Sequence, residues 1–365
     1  MKTECLKIPI LDFLEIEKKY GKEKALESLK KNDAIIKAAS ALKNGKLVAF
    51  PTETVYGLGA LAFLKEAVEN IFKVKSRPLD NPLILHLGSL ECLDKWIAYL
   101  TKDALKLIEV FWPGPLTLIL KHKGNLPSFV TSGLDTVGIR MPDNLVALSI
   151  LQLVDSLIAA PSANVSGRPS PTLASHVLED LNGKVDIILD SGPTKLGLES
   201  TVIDVTTEKV CLLRPGFITV EEIEEVLQKK VFVDEAFFKD TKHELKLIAP
   251  GLKYKHYAPL ADMYLFFCSF ENLQQIIDKE KSLGKKIGVL LTSNNKCRVE
   301  ADVYVYYDLD YVGNPLSISR NLYACFRKFD FFKVDVIYAQ GFSEKGIYFT
   351  IMNRLKKAAN YKIIR

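Results

Sequence analysis

Two segments of this 365-residue chain place charged and hydrogen-bonding side chains at spacings suited to phosphate chemistry. KVKSRPLDNPLILH, residues 73–86, sets Lys75 and Arg77 two apart and follows them with Asn81 and His86. APSANVSGRPSPT, residues 160–172, offers Ser162, Asn164 and Ser170 on a loop punctuated by Gly and Pro. An ammonium is a compact point charge and a guanidinium a bidentate fork, while short hydroxyl and amide groups add hydrogen bonds without bulk. Together these types describe a polyphosphate site. Such a site would neutralise the charge of a bound polyphosphate and hold it in place largely by positioning and electrostatics.

Each residue also has a plainer reading. Cations are favoured at a helix C-terminus, so Lys73, Lys75 and Arg77 fit a helix end as well as a ligand. SANVSG alone is a turn-rich loop. His86 closes an apolar run, where a lone histidine is commonly a core residue, and Ser200 and Thr201 could simply begin a strand. Arg214 could pair on the surface. Glu53 is as suited to orienting a turn as to acting as a base, and no pair of carboxylates stands out as general acid and base.

The elements that must position these residues alternate between helix and strand. Ile35, Ile36, Ala39 and Leu42 share a face of a helix over residues 33–44, which Asn44-Gly45 stops. LVAFPTETVYGL reads as a strand entering a turn. Ala67, Val68, Ile71 and Phe72 then mark an amphipathic helix that delivers Lys75 and Arg77 at its end. Short strands are predicted over 116–121, 137–140, 157–160, 185–190 and 201–205, and a helix over 220–229, so the first part is an α/β domain around a twisted sheet. Residues 239–262 are polar and broken by Pro and Gly, and read as a linker. Beyond it, strands over 263–270, 286–293, 303–309 and 335–342 alternate with helices over 271–283, from Asn314-Pro315 onward, and around IMNRLKKAA. That order predicts a smaller Rossmann-like three-layer α/β domain. It has no GxGxxG fingerprint, so no dinucleotide is assigned to it.

Length suggests two domains. The content, 48% hydrophobic and 25% charged, is that of an ordinary globular protein, and the net charge of +5 permits an anionic ligand without requiring nucleic acid. Six cysteines without paired spacing read as small buried hydrophobes in a reducing compartment rather than disulfides or zinc ligands. No signal-peptide pattern or bilayer-length apolar run is present, which predicts a cytoplasmic protein without membrane attachment.

With PTETVYGLG at 51–59, TVGIRMP at 136–142, GLESTVID at 197–204 and LLRPG at 212–216, the two opening motifs resemble the YrdC-like domain of threonylcarbamoyl-AMP synthases. APGLKYKHYAPLAD at 249–262 resembles the linker of that family's long, two-domain form. The resemblance implies an N-terminal extension over 1–32, a YrdC-like catalytic domain over 33–238, a linker or lid over 239–262 and a C-terminal domain over 263–365. It assigns ATP contacts to Arg77, Asn81, Thr136, Ser162, Ser170 and Arg214, with Lys75 and Asn164 completing the two signatures and Lys75 and Arg77 as the catalytic cations. It assigns L-threonine to Thr54, His86, Arg140, the backbone at Ala160, and Ser200. Lys253, Tyr254, His256 and Tyr257 could fold over the nucleotide and exclude water.

The implied reaction captures bicarbonate on the threonine amine and joins the resulting carbamate to AMP. Mg2+ would accompany ATP, with no resident metal or prosthetic group. The adenylate would serve N6-threonylcarbamoyladenosine formation in tRNA through a separate transferase complex, and the synthase itself would bind RNA weakly at most. Two other readings are a carbamoyl-adenylate former of the hydrogenase-maturation type, for which the chain lacks an acylphosphatase-like region and zinc fingers, and a noncatalytic RNA-binding module. The charged stretch over 13–32 departs from the usual family beginning and reads as a solvated helix without an assigned role.

Overall fold

The structure, a computed structural model, describes residues 2–79, 81–237, 257–296, 298–308, 311 and 313–365. They form two units: the first comprises the described residues up to Ser166 together with Ser170–Val233, and the second comprises Gly167–Pro169 with the described residues of 234–237 and 257–365.

The first unit opens with strand β1 (Glu4–Lys7), helices α1 (Ile10–Tyr20), α2 (Lys22–Leu29) and α3 (Asp33–Lys43), and strands β2 (Val48–Phe50) and β3 (Gly57–Leu61). Next come α4 (Lys65–Lys75), β4 (Ile84–His86), α5 (Lys102–Phe111), β5 (Leu116–Lys121), α6 (Ser128–Thr131) and β6 (Thr136–Arg140). It ends with α7 (Leu145–Val154), β7 (Ile158–Ala159), α8 (Ala174–Leu181), β8 (Ile187–Asp190), β9 (Thr201–Asp204), β10 (Cys211–Arg214) and α9 (Val220–Leu227). The ten strands make one mixed sheet in the order β1-β8-β2-β3-β7-β4-β6-β5-β9-β10.

Local chemistry explains the helix limits. Asn32 caps α3 by accepting from Ala34 N at 2.9 Å, and Gly45 takes the left-handed turn beyond its end at φ +76. Ile35, Ala38, Ala39 and Leu42 face the core from that helix, the larger aliphatics each contributing about 1.5–3 kcal/mol of burial. Helix α7 is apolar on nearly every side and lies deep, with α2 and α3 packed on it. A full capping box, Thr219 with Glu222, starts α9.

The charged stretch over 13–32 differs from the solvated helix expected of it. Gly21, at φ +89, breaks it into α1 and α2, and Phe13, Ala25, Leu26 and Leu29 are buried in the same cluster as α3 and α7. Strand β1, which has no apolar run to announce it, pairs in parallel with β8 and closes that edge of the sheet. The cysteines depart from expectation too. Among those described, Cys5, Cys92, Cys211, Cys268 and Cys325 are all free thiols, but only Cys325 is buried.

The second unit alternates β11 (Asp262–Phe266), α10 (Phe270–Ser282), β12 (Ile287–Leu291), β13 (Val303–Tyr306), α11 (Pro315–Phe332), β14 (Val336–Gln340), α12 (Ile347–Ala358) and β15 (Ile363–Ile364). Its strands pair in parallel in the order β13-β12-β14-β11-β15, and they are shorter than the sequence suggested. Asn314 caps α11 with Pro315 at its first turn. Among the described residues no helix is long and apolar enough to cross a membrane.

Candidate functional site

Parallel pairing of β4 with β6 puts His86 and Arg140 side by side at their C-terminal ends. Both side chains are buried. Arg140 Nε donates to Gly114 O at 3.3 Å, and Nη2 donates to Thr54 Oγ1 at 3.0 Å. Glu53 Oε1 lies 2.6 Å from the same Nη2. Nη1 makes no hydrogen bond among the described residues, so one prong of the fork stays open. Thr54 shares a 2.8 Å hydrogen bond with Thr52, whose hydroxyl also donates to Val55 O and so fixes the turn after β2. Burial pushes the His86 imidazole down to about 3, Arg140 adds to the shift, and a hydrogen bond with the Ile84 backbone opposes it. At neutral pH it is therefore an uncharged ring, and its buried Nδ1 has no hydrogen-bond partner.

A second cluster forms where β9 begins. Arg214 donates from Nε and Nη2 to Ser200 O at 3.1 and 2.8 Å, and from Nη2 to Ser200 Oγ at 3.0 Å. The Ser200 hydroxyl also meets Thr117 Oγ1 at 2.8 Å. The pairing of β10 with β9 shifts register between Leu212 and Arg214, which re-aims the arginine towards Ser200. Gly216 completes this corner. A Cβ there would stand 2.1 Å from Thr201 N and 2.3 Å from Ser200 C, so no side chain fits. Ser170, also buried, donates to Glu199 Oε1 at 2.7 Å.

Lys75 joins the segments 73–86 and 160–172. Its side chain is 2% exposed, and Nζ donates to Ser162 O and, at 2.5 Å, to Asn164 O. Ser166 N donates back to Lys75 O at 2.8 Å. Burial pushes this ammonium well below its ordinary value, with Arg77 adding to the shift. Arg77, half-buried, holds the following loop by donating from Nε to Asn81 O at 3.2 Å and from Nη2 to Pro82 O at 2.9 Å. Asn81 is buried beside it, and Ala160 N donates to Ile84 O at 3.1 Å. Thr136 starts β6 opposite Lys121, and Asn164 donates to Val165 O at 2.8 Å.

Thus Thr54, Arg140 and His86 come together, as do Ser200 and Arg214, and Lys75 with Ser162 and Asn164. Tyr257 belongs to the second unit, where its ring stacks on Tyr323 at 5.4 Å and the Arg354 guanidinium lies over it at 4.9 Å. Tyr254 and His256 lie outside the described residues. Sequence reasoning passed over Thr52, Thr117 and Glu199, and left Glu53 without a role. The acid of Pro-Thr-Glu-Thr, flanked by two hydroxyls, was the one visible signal. Among the described residues no three His, Cys, Asp or Glu side chains converge as a metal cage.

A family model described as telomere recombination, of the Sua5, YciO and YrdC group, matches residues 40–216. A second, described as the C-terminal domain of threonylcarbamoyl-AMP synthase, matches residues 218–360. The threonylcarbamoyl-AMP synthase of Pyrococcus abyssi is 45% identical over 336 residues, covering 90% of this chain and 94% of that protein. Its namesake in Bacillus subtilis is 43% identical over 347 residues, covering 93% and 97% respectively. The crystal structure of P. abyssi Sua5 complexed with L-threonine superposes with a TM-score of 0.85 at 40% identity, covering all of this chain and 99% of the other.

Proposed function

The chain belongs to the threonylcarbamoyl-AMP synthase family, and on that premise we propose how its residues divide the work. The protein is a nucleotidyltransferase that makes L-threonylcarbamoyladenylate and pyrophosphate from L-threonine, bicarbonate and ATP, for modification of tRNA next to the anticodon. The observation that carries the assignment of residues is the Lys75 bridge, which ties a helix end to a loop 87 residues away.

In this reading, Arg140 grips the threonine carboxylate through its open Nη1, while Thr54, the Ala160 backbone and Ser200 surround the rest of the amino acid. His86, uncharged, contributes a polar edge without adding a second cation to Arg140. Arg77, Asn81, Thr136, Ser162, Asn164, Ser170 and Arg214 face the nucleotide. Lys75 acts chiefly by holding the Ser162–Asn164 loop in place, since its Nζ already donates to two carbonyls. Mg2+ would enter with ATP as part of the substrate and offset the charge of its phosphates. In-line attack of the carbamate oxygen on the α-phosphorus then needs only alignment and charge compensation.

The same proposal keeps a catalytic domain over 33–238, into whose sheet and core residues 4–29 pack, a linker over 239–262 and a second domain over 263–365, with Tyr254, His256 and Tyr257 near the nucleotide. It places the protein in the cytoplasm, upstream of a transferase complex that consumes the adenylate on tRNA. The test is pyrophosphate release from ATP with Mg2+ and bicarbonate, using L-threonine, L-serine or L-valine. Release dependent on both threonine and bicarbonate is expected. Release independent of threonine favours the carbamoyl-adenylate alternative, and no release with any amino acid, accompanied by salt-sensitive RNA binding, favours the binding module.

A further inference from the structure

Glu53 is 3% exposed, and both of its carboxylate oxygens are buried without a hydrogen-bond partner. The 2.6 Å approach to Arg140 Nη2 is an ion pair that is not aligned as a hydrogen bond. Buried acceptors are almost always satisfied, so a carboxylate whose Oε1 has only that ion pair and whose Oε2 has no hydrogen-bond partner requires an explanation. Arg140 supplies the other half of the pattern, because its Nη1 is open while Nη2 and Nε are engaged by Thr54, Glu53 and Gly114. An open guanidinium prong and an unsatisfied carboxylate side by side are complementary to a zwitterion: a carboxylate for Arg140, and an ammonium for Glu53 two bonds away from that carboxylate's carbon.

Resting on the synthase reading, we infer that Glu53 receives the proton of the L-threonine ammonium and so frees the amine that captures bicarbonate. The step balances. Glu53 takes one proton from the ammonium, leaving a neutral amine. The nitrogen lone pair attacks the bicarbonate carbon, a C–N bond forms, and hydroxide leaves as water with a second nitrogen proton, giving the carbamate. Glu53 returns its proton to solvent when the product departs.

Neighbouring groups are poor substitutes. His86, on β4, faces Arg140 and is held neutral by burial, and a proton on its ring would place a second buried cation beside that guanidinium, whereas a proton on Glu53 leaves a neutral acid. Lys75 is spent on two carbonyls. The loop packed over Glu53, whose Leu196 N donates to Glu53 O, brings Glu199, and that side chain accepts from Ser170. Thr52 and Thr54 carry hydroxyls that do not ionise in this range. Glu53 and Arg140 are the charged pair left at the centre.

The experiment compares wild-type protein with Glu53→Gln in both directions across pH 6.5 to 9.5. Forward turnover is read as threonine-dependent pyrophosphate release, and reverse turnover as ATP formed from pyrophosphate and threonylcarbamoyl-AMP made by the wild type. Loss of the base is expected to lower forward turnover about 100-fold at neutral pH. The variant's forward rate should then climb about tenfold per pH unit as free amine accumulates. Reverse adenylyl transfer, which ends in the carbamate, should stay within a few-fold. A variant within about threefold of wild type at neutral pH, or one impaired equally in both directions with a flat profile, would overturn the assignment and leave Glu53 as a counter-ion that positions Arg140. If Glu53→Gln does not fold, Glu53→Asp keeps the acid at shorter reach and should impair the forward direction selectively, equal impairment again being the refuting result. Wild-type protein with no threonine-dependent release would overturn the synthase reading and this inference together.

Discussion

Acidification should destabilise this protein through His86 in a way that can be worked out in advance. The imidazole is fully buried, and burial holds it at about 3 against an ordinary 6.5. Below pH 6.5 the unfolded chain therefore binds a proton that the folded chain refuses. The unfolded state holds more protons in that window, so stability is complete above 6.5 and falls as the pH drops towards 3. At pH 5 the loss from this one group is about 2 kcal/mol, and it approaches about 5 kcal/mol near pH 3. His86→Gln replaces the ring with an amide that cannot ionise. Denaturant unfolding of both proteins at pH 7.5 and pH 5 gives a double difference in which the other four of the five histidines cancel. Wild type should lose about 2 kcal/mol more than the variant over that interval. Equal losses, or an NMR titration placing the His86 midpoint above about pH 5.5, would refute the reasoning.

Other consequences can be measured on single variants. Lys75→Met removes the Nζ that donates to both Ser162 O and Asn164 O, and should cost about 2–4 kcal/mol in denaturant unfolding along with most of the pyrophosphate release. Gly216→Ala drives a Cβ into the Ser200–Thr201 backbone, so a loss of about 1–3 kcal/mol is expected by calorimetry, with weakened threonine dependence because Ser200 is displaced. Leu29→Ala empties a fully buried site in α2 and should cost about 2–5 kcal/mol, whereas a loss under about 1 kcal/mol would mean that the start of the chain does not share the core.

What could be read from the sequence was whatever is written locally. Helices α3 and α4 announce themselves by apolar residues three and four apart, and Asn314-Pro315 marks the start of α11 within a residue. Strand β1 could not be seen, because ECLK has no apolar run and owes its existence to a partner strand far along the chain. Gly21 was visible, yet only its φ of +89 shows that it splits the charged stretch into two helices. The site divides in the same way. Residue types and spacing were enough to nominate Lys75, and the family resemblance nominated Arg140 and Ser200. That Lys75 is buried is decided by the loop carrying Ser162 and Asn164, and that Glu53 sits against a guanidinium is decided by the end of β6; neither is a local property.

The pairing of β1 with β8 sets a timetable for a ribosome making this protein. Thr3 donates to Val185 O across 182 residues of chain, so the first strand emerges long before the edge it must join. At roughly 5–20 residues per second that gap lasts on the order of 10–40 s. For most of it, until residues 145–154 are made, the apolar faces of α1 and α2 have no α7 to cover them. The nascent segment is thus an amphipathic bait for chaperones and proteases.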